Sequence, residues 1–275
     1  MGKFKLIAFD MDGTLLNSQK MLPKCNIDAI KKATNAGKIV ILSTGRCLPE
    51  LEDYIDEIPN LRYLNCMSGA CVYDLKEKRV IYSKYIDAET ALEIIETVEK
   101  TDVMVEFLTD RLIIQKSNFE NIEKYGMGVY RDLYQRKAVK VENIVEMYKQ
   151  NPFPMAKFNI FHKSAQDREI TKSKLLAKNI KVSMAYAETT SLEMSAIGAD
   201  KGIGLEKLCE HLNIDLKDTI AVGDADNDIE IFKKAGFKIA MGNANENIKK
   251  LSDIIVADCD NGGCKEAIEK YLLQP

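Results

Sequence analysis

Five short apolar runs, each bounded by glycine or a polar turn, alternate with helical patterns at the two ends of this 275-residue chain. The runs lie at 4–9, 38–43, 62–66, 219–222 and 237–241, and the helical patterns at 25–36, 48–58, 200–212, 226–235 and 262–272. Apolar runs this short, bounded by turn signals, read as strands buried on both faces. Strands alternating with helices predict a parallel sheet covered on both sides. Gly37 and Gly236 stand where a helix must stop before the next strand begins.

The middle of the chain breaks that rhythm. Helical patterns fall at 88–100, 141–150 and 165–178, and strand-like runs at 103–108, 111–115, 155–161 and 181–186. The first two of these runs, joined by Thr109-Asp110, read as a hairpin. The expected organisation is a discontinuous core, 1–82 and 191–275, with an α+β insert at 83–190 that carries an antiparallel sheet. The expected junctions are Tyr82-Ser83 and Thr189-Thr190-Ser191. No internal repeat or low-complexity tract interrupts either part.

The chemistry sits at the ends of the core runs. The first run leads into Asp10-Met11-Asp12-Gly13-Thr14. A strand has period two, so Asp10 and Asp12 start on the same side, and Gly13 then lets the chain turn sharply. Two adjacent carboxylates with no nearby cation in sequence predict a cation site, a proton-transfer pair, or both. A second acidic cluster, Asp224-Ala225-Asp226-Asn227-Asp228, follows the run at 219–222. The run at 38–43 leads into Thr44-Gly45-Arg46, which offers a hydroxyl, an approachable N–H and a cation. Lys201 opens a helical pattern, where a cation is mildly unfavourable and calls for a compensating anion. In open α/β sheets, sites form beyond the carboxyl ends of strands.

Several other chemistries are excluded. With Asp224 as position one of a calcium loop, the required glycine falls on Ile229 and the required glutamate on Ala235. No phosphate-binding G-x-x-x-x-G-K-[ST] loop occurs, and Gly126-Met127-Gly128 and Gly202-Ile203-Gly204 lack the third glycine of a dinucleotide fingerprint. The two histidines, His162 and His211, belong to no motif, which leaves acid–base work to carboxylates. A net charge of −3 without a basic block gives nucleic acid no electrostatic footprint. Seven scattered cysteines with no C-x-x-C pair argue against a zinc framework and for a reducing, cytoplasmic setting. No apolar run approaches the roughly 18 residues of a membrane helix. The N-terminus lacks a leader's apolar region, and Leu6 stands where a myristoylation signal after Gly2 needs Ser or Thr.

Asp-x-Asp-Gly-Thr, Ser-Thr-Gly-Arg, Lys-Gly-x-Gly-Leu and Gly-Asp-x-x-Asn-Asp occur here in that order, spanning Asp10 to Asp228, with similar spacing into Ile239-Ala-Met-Gly-Asn243. This series resembles the haloacid dehalogenase (HAD) superfamily of phosphatases. The long stretch between Arg46 and Lys201 resembles its Cof-type members with a large α/β cap. The resemblance implies an α/β fold, a Rossmann-like parallel-sheet core with an inserted α+β cap. It implies hydrolysis of small phosphate monoesters, sugar phosphates or related metabolites, through an aspartyl-phosphate.

The implied roles follow residue by residue. Asp10 is the nucleophile and a metal ligand. Asp12 is the general acid/base, and its backbone carbonyl also binds the metal. Asp224 and Asp228 bind Mg²⁺, the latter directly or through water. Met11 N–H, Thr44, Gly45, Lys201 and Asn227 hold the phosphoryl group, and Asn227 can alternatively hold Lys201. Asp12 must be protonated when the leaving group departs, which calls for a raised pKa or a closed site. Arg46 reads as structural or peripheral.

Two positions depart from the family pattern. Ser68-Gly69-Ala70 stands where Asn-Gly-Ala is usual, and Cys264 where the family tends to valine. The expected partner is a small phosphorylated metabolite, with no nucleic acid and no membrane, in a monomer or small homo-oligomer. The alternatives are a phosphomutase or phosphotransferase on the same scaffold and a non-catalytic sugar-phosphate sensor. A dehalogenase ranks below them, because carbon chemistry has no use for the acidic cluster at Asp224.

Overall fold

A computed structural model describes residues 4–186 and 189–274. Met1 and Gly2, on which the leader and myristoylation readings rest, lie outside the described residues. The fourteen strands described are β1 Leu6–Phe9, β2 Ile39–Ser43, β3 Tyr63–Cys66, β4 Cys71–Asp74, β5 Arg79–Ser83, β6 Met104–Leu108, β7 Leu112–Gln115, β8 Val139–Val141, β9 Lys157–Phe161, β10 Val182–Ala185, β11 Ser191–Ala196, β12 Thr219–Gly223, β13 Phe237–Ala240 and β14 Ile254–Ile255. The chain divides into two compact units. One holds the residues up to Arg46, Leu51–Ser83 and those from Asp200 onward; the other holds Cys47–Glu50 and Lys84–Ala199.

The first unit is built on an eight-stranded sheet in the order β14-β13-β12-β1-β2-β3-β4-β5. Its six strands from β14 to β3 are parallel. Each residue of β1, β3 and β12 is buried, as expected for strands covered on both faces. The five apolar runs thus become β1, β2, β3, β12 and β13. Sequence periodicity gave no sign of β4 and β5, which extend the sheet antiparallel. In β5 (Arg79-Val80-Ile81-Tyr82-Ser83) no residue is fully buried, so this edge strand carries little apolar signal.

The second unit carries a six-stranded sheet in the order β10-β11-β9-β6-β7-β8. It is antiparallel except where β7 meets β8. The hairpin at 103–115 is present as β6 and β7. One face is aromatic: Phe107 lies 5.0 Å from Phe158 and 5.5 Å from Tyr148, which comes from the helix Ile144–Gln150. Side chains alternate along a strand, so Glu106, Lys157 and Asn159 belong to the opposite face. β11 corrects the expected division at 191: its residues Ser191–Ala196 pair with β9 and β10 and belong to this sheet. Among the described residues, no helix is long and apolar enough to cross a membrane.

Candidate active site

β12, β1 and β2 are neighbours in the first unit's sheet, and all three run the same way. Their carboxyl ends therefore deliver Asp224, Asp10 and Thr44 to one edge. Lys201 comes to the same edge as the first residue of the helix Lys201–Leu212, whose N-cap Asp200 accepts from the Ile203 N–H. That cap fixes where the helix begins, and hence where Lys201 points.

The centre is an ion triad. Lys201 Nζ donates to Asp10 Oδ1 and to Asp228 Oδ1, at 2.6 Å each. Lys201 and Asp228 are 1% exposed and Asp10 5%. Burial alone would lower the lysine's pKa, but the two carboxylates beside it hold it above its usual value. Burial pushes Asp10 well up against the pull of Lys201, and the charges of Asp228 and Asp224 push it further. Burial likewise raises Asp224 to about 6, although the Thr14 hydroxyl that donates to its Oδ1 at 2.8 Å opposes the rise.

Asp10, Asp224 and Asp228 each offer a carboxylate oxygen within 4.8 Å of the others, a set that could hold a metal ion. Three hard oxygen donors suit a divalent cation. Burial first, and then the neighbouring carboxylates, raise Asp10 and Asp224; a bound cation would oppose that rise.

Two glycines let the loops close around these carboxylates. Gly13 takes φ +82°, and a Cβ there would lie 2.4 Å from Asp224 Oδ2. At Gly223 a Cβ would lie 2.3 Å from Asp228 Oδ2, an oxygen that also accepts from the Asp224 N–H at 3.0 Å.

The other site residues divide. Thr44 is buried, and its hydroxyl accepts from the Arg46 N–H at 3.2 Å. Gly45 follows it, and Met11 is fully buried, its carbonyl accepting from Thr14 and Leu16. Asn227 is exposed, and Lys201 is held by Asp10 and Asp228 rather than by Asn227.

Asp12 departs most from expectation. Its carboxylate accepts from Arg46 Nε and Nη2 at 2.8 Å each and from Lys20 Nζ at 2.8 Å. Burial would raise its pKa, but these two cations bring it well below the usual carboxylate range. Of the two expected routes to a protonated Asp12, a raised pKa is not seen here, and the side chain lies outside the three-carboxylate cluster.

Sequence reasoning missed this clamp. Arg46 reads in the sequence as structural or peripheral, with no sign of its tie to Asp12, and Lys20 carries no motif signal. Thr14 was quoted only as part of a motif, although a hydroxyl two residues beyond Asp12 is a natural donor to a second acidic loop. His162 is an ordinary buried histidine, its two ring nitrogens each 2.9 Å from an oxygen, of the Thr190 carbonyl and the Thr171 hydroxyl.

Residues 7–268 match the model of the haloacid dehalogenase-like hydrolases. The chain belongs to that family. It is a hydrolase, as the motif series implied. Over 277 residues it is 27% identical to the 5-amino-6-(5-phospho-D-ribitylamino)uracil phosphatase YcsE of Bacillus subtilis, covering 98% of this chain and 96% of that one. It is 29% identical over 288 residues to Phosphatase YwpJ of the same organism, covering 98% and 100%. The structure of a haloacid dehalogenase-like hydrolase from B. subtilis superposes with a TM-score of 0.85 at 25% identity, covering 98% of this hydrolase and all (100%) of that chain. These likenesses span both compact units, so the α/β core with an inserted α+β cap is the family's fold.

Proposed function

We propose that this hydrolase is a Mg²⁺-dependent phosphatase of small phosphorylated metabolites, sugar phosphates or related monoesters, acting through an aspartyl-phosphate on Asp10. The observation that carries this reading is the buried triad: Lys201 Nζ at 2.6 Å from Asp10 Oδ1 and from Asp228 Oδ1, with Asp224 alongside. A carboxylate attacking a phosphate dianion meets like-charge repulsion, and a lysine already fixed against the nucleophile offsets it. Asp10, Asp224, Asp228 and the Asp12 carbonyl would hold Mg²⁺, which when bound neutralises charge on the carboxylates and phosphoryl oxygens.

In the first half-reaction Asp10 forms a bond to phosphorus while the bond to the leaving oxygen breaks, and Asp12 gives that oxygen its proton. In the second, Asp12 takes a proton from water, whose oxygen attacks phosphorus and frees Asp10. The Arg46–Lys20 clamp keeps Asp12 as carboxylate, the form the second half-reaction uses. Its acid role requires those contacts to be exchanged when substrate enters. Thr44, Gly45 and the Met11 N–H would orient the phosphoryl oxygens, with the exposed Asn227 as a further donor. The relative named as a 5-amino-6-(5-phospho-D-ribitylamino)uracil phosphatase supports a small-metabolite substrate. Seven free cysteines support a reducing cytoplasm.

The test is phosphate release from a panel of sugar, nucleotide and cofactor monophosphates, with and without Mg²⁺ and with Asp10→Asn as control. Release that needs both the metal and Asp10 is expected. No release from any compound by folded, Mg²⁺-loaded protein, or release that survives Asp10→Asn, overturns the reading.

A further inference from the structure

Strand β3 of the first unit is buried along its whole length, yet its third residue is an amide, Asn65, set between Leu64 and Cys66. An apolar side chain would fit there with no polar group to satisfy. The amide instead makes two bonds that leave its own strand. Asn65 Nδ2 donates at 2.9 Å to the hydroxyl of Ser43, its register neighbour on β2, and at 2.8 Å to the Lys201 carbonyl. The Asn65 carbonyl accepts from the Thr44 N–H at 2.8 Å. One residue thus joins the first turn of the helix Lys201–Leu212 to Ser43 and Thr44 at the end of β2.

Two costs to stability come with this link. The Lys201 carbonyl can only accept, which fixes the amide nitrogen on that side and leaves Asn65 Oδ1 buried without a hydrogen-bond partner. The second cost is Gly204, inside the same helix, where glycine is unfavourable. A Cβ at Gly204 would lie 1.8 Å from Asn65 Oδ1 and 2.8 Å from Nδ2. The helix therefore gives up a side chain so that the amide can lie against it. A buried polar group that breaks two local rules, with no gain in packing, is retained for where it holds its partners.

We propose that Asn65 is a positioning residue for phosphoryl transfer: seated against Gly204, its amide sets the spacing between Lys201 and Thr44, so that the lysine's charge and the threonine's hydroxyl meet one phosphoryl group. This deepens the phosphatase reading and rests on it. The Asp200 cap sets where the helix begins, and Asn65 sets how closely its first turn lies against the ends of β2 and β3. Asn65 itself touches neither the nucleophile nor the phosphoryl group. Its effect falls on the step in which Lys201 offsets charge as the bond to phosphorus forms, and hence on kcat more than on KM.

The test is a double-mutant cycle on the Mg²⁺-loaded protein, with p-nitrophenyl phosphate as the probe and Tm measured alongside. Asn65→Ala removes the link, and Gly204→Ala pushes the amide out of its seat. Each should lower both Tm and kcat, kcat by about tenfold or more, with KM held within about threefold. The double variant separates placement from packing. Its two methyl groups share the space of the amide, the unpaired oxygen is gone and the helix has lost a glycine. Its Tm should recover above that of either single variant, while kcat stays about tenfold down. Recovery of kcat together with Tm would mean a packing pair only and overturn the proposal. So would wild-type kcat in folded Asn65→Ala. A double variant that stays as unstable as the singles, or does not fold, would make Asn65 a folding residue and overturn it too. Failure of the phosphatase reading looks different: the wild type then releases phosphate neither from this probe nor from the wider panel, and the inference falls with it.

Discussion

In the first unit Lys201 meets Asp10 and Asp228 at 2.6 Å each, so the buried lysine lies between carboxylates on two sides; in the second, Glu106 is as deeply buried, takes Asn159 Nδ2 at 2.6 Å with the Tyr134 hydroxyl beside it, and keeps one oxygen unpaired. In the first cluster one lysine is held between two carboxylates with a third nearby, and loss of that cation leaves the carboxylates facing one another. The second is nearly neutral, and its unpaired atoms cost stability without threatening the fold. Chemistry common to every substrate needs the first kind of cluster. In the second, side chains can change without unbalancing buried charge.

The largest expected effect breaks the first cluster at its nucleophile. Asp10→Asn should cut phosphate release by at least about a thousandfold while far-UV circular dichroism stays native. Next comes the cation. Lys201→Met leaves two buried carboxylates without their partner and should cost about 3–5 kcal/mol in denaturant unfolding. A loss under 1 kcal/mol would mean that the two carboxylates do not depend on the lysine between them.

The second cluster should answer to pH instead. The folded pKa of Glu106, about 8, lies above the ordinary glutamate value of 4.5. Between those values the folded state holds a proton that the unfolded state has released. The stability this contributes is therefore full below about 4.5 and is lost as pH rises through 8. Glu106→Gln should flatten the decline in Tm between pH 5 and 8; an unchanged slope would place the proton elsewhere. The smallest effect lies outside both clusters. Ser68 holds φ 55°, a left-handed conformation that asparagine tolerates better. Ser68→Asn should add about 0.5 kcal/mol in the same unfolding assay, and a loss would show that the serine side chain is needed there.

The parallel strands were legible because each is a run of buried apolar residues beside a glycine or a helix stop. The carboxylates and Lys201 were legible because such groups at strand and helix ends demand partners. β4, β5, β8 and β11 were not: β5 and β8 contain no fully buried residue, and Ser191-Leu192-Glu193-Met194-Ser195-Ala196 mixes polar positions into its strand. The Arg46–Asp12 clamp joins residues 34 apart through long side chains, which no local pattern encodes. Glu106 reads along its strand as an ordinary solvent-facing position. Only the register that sets it against Asn159, 53 residues on, makes it a buried acid.

The most direct test of the central claim is to look for the covalent bond. Wild-type and Asp12→Asn protein would be mixed with a turned-over phosphate ester and Mg²⁺, quenched in acid within milliseconds, reduced with borohydride and mapped by mass spectrometry. A phosphorylated aspartate is converted to homoserine by this treatment. The account predicts homoserine at position 10 and nowhere else, with more of it in Asp12→Asn, where the water that cleaves the intermediate is no longer activated. Turnover with position 10 unmodified in both proteins would contradict it, and would assign the attack on phosphorus to water or to another side chain.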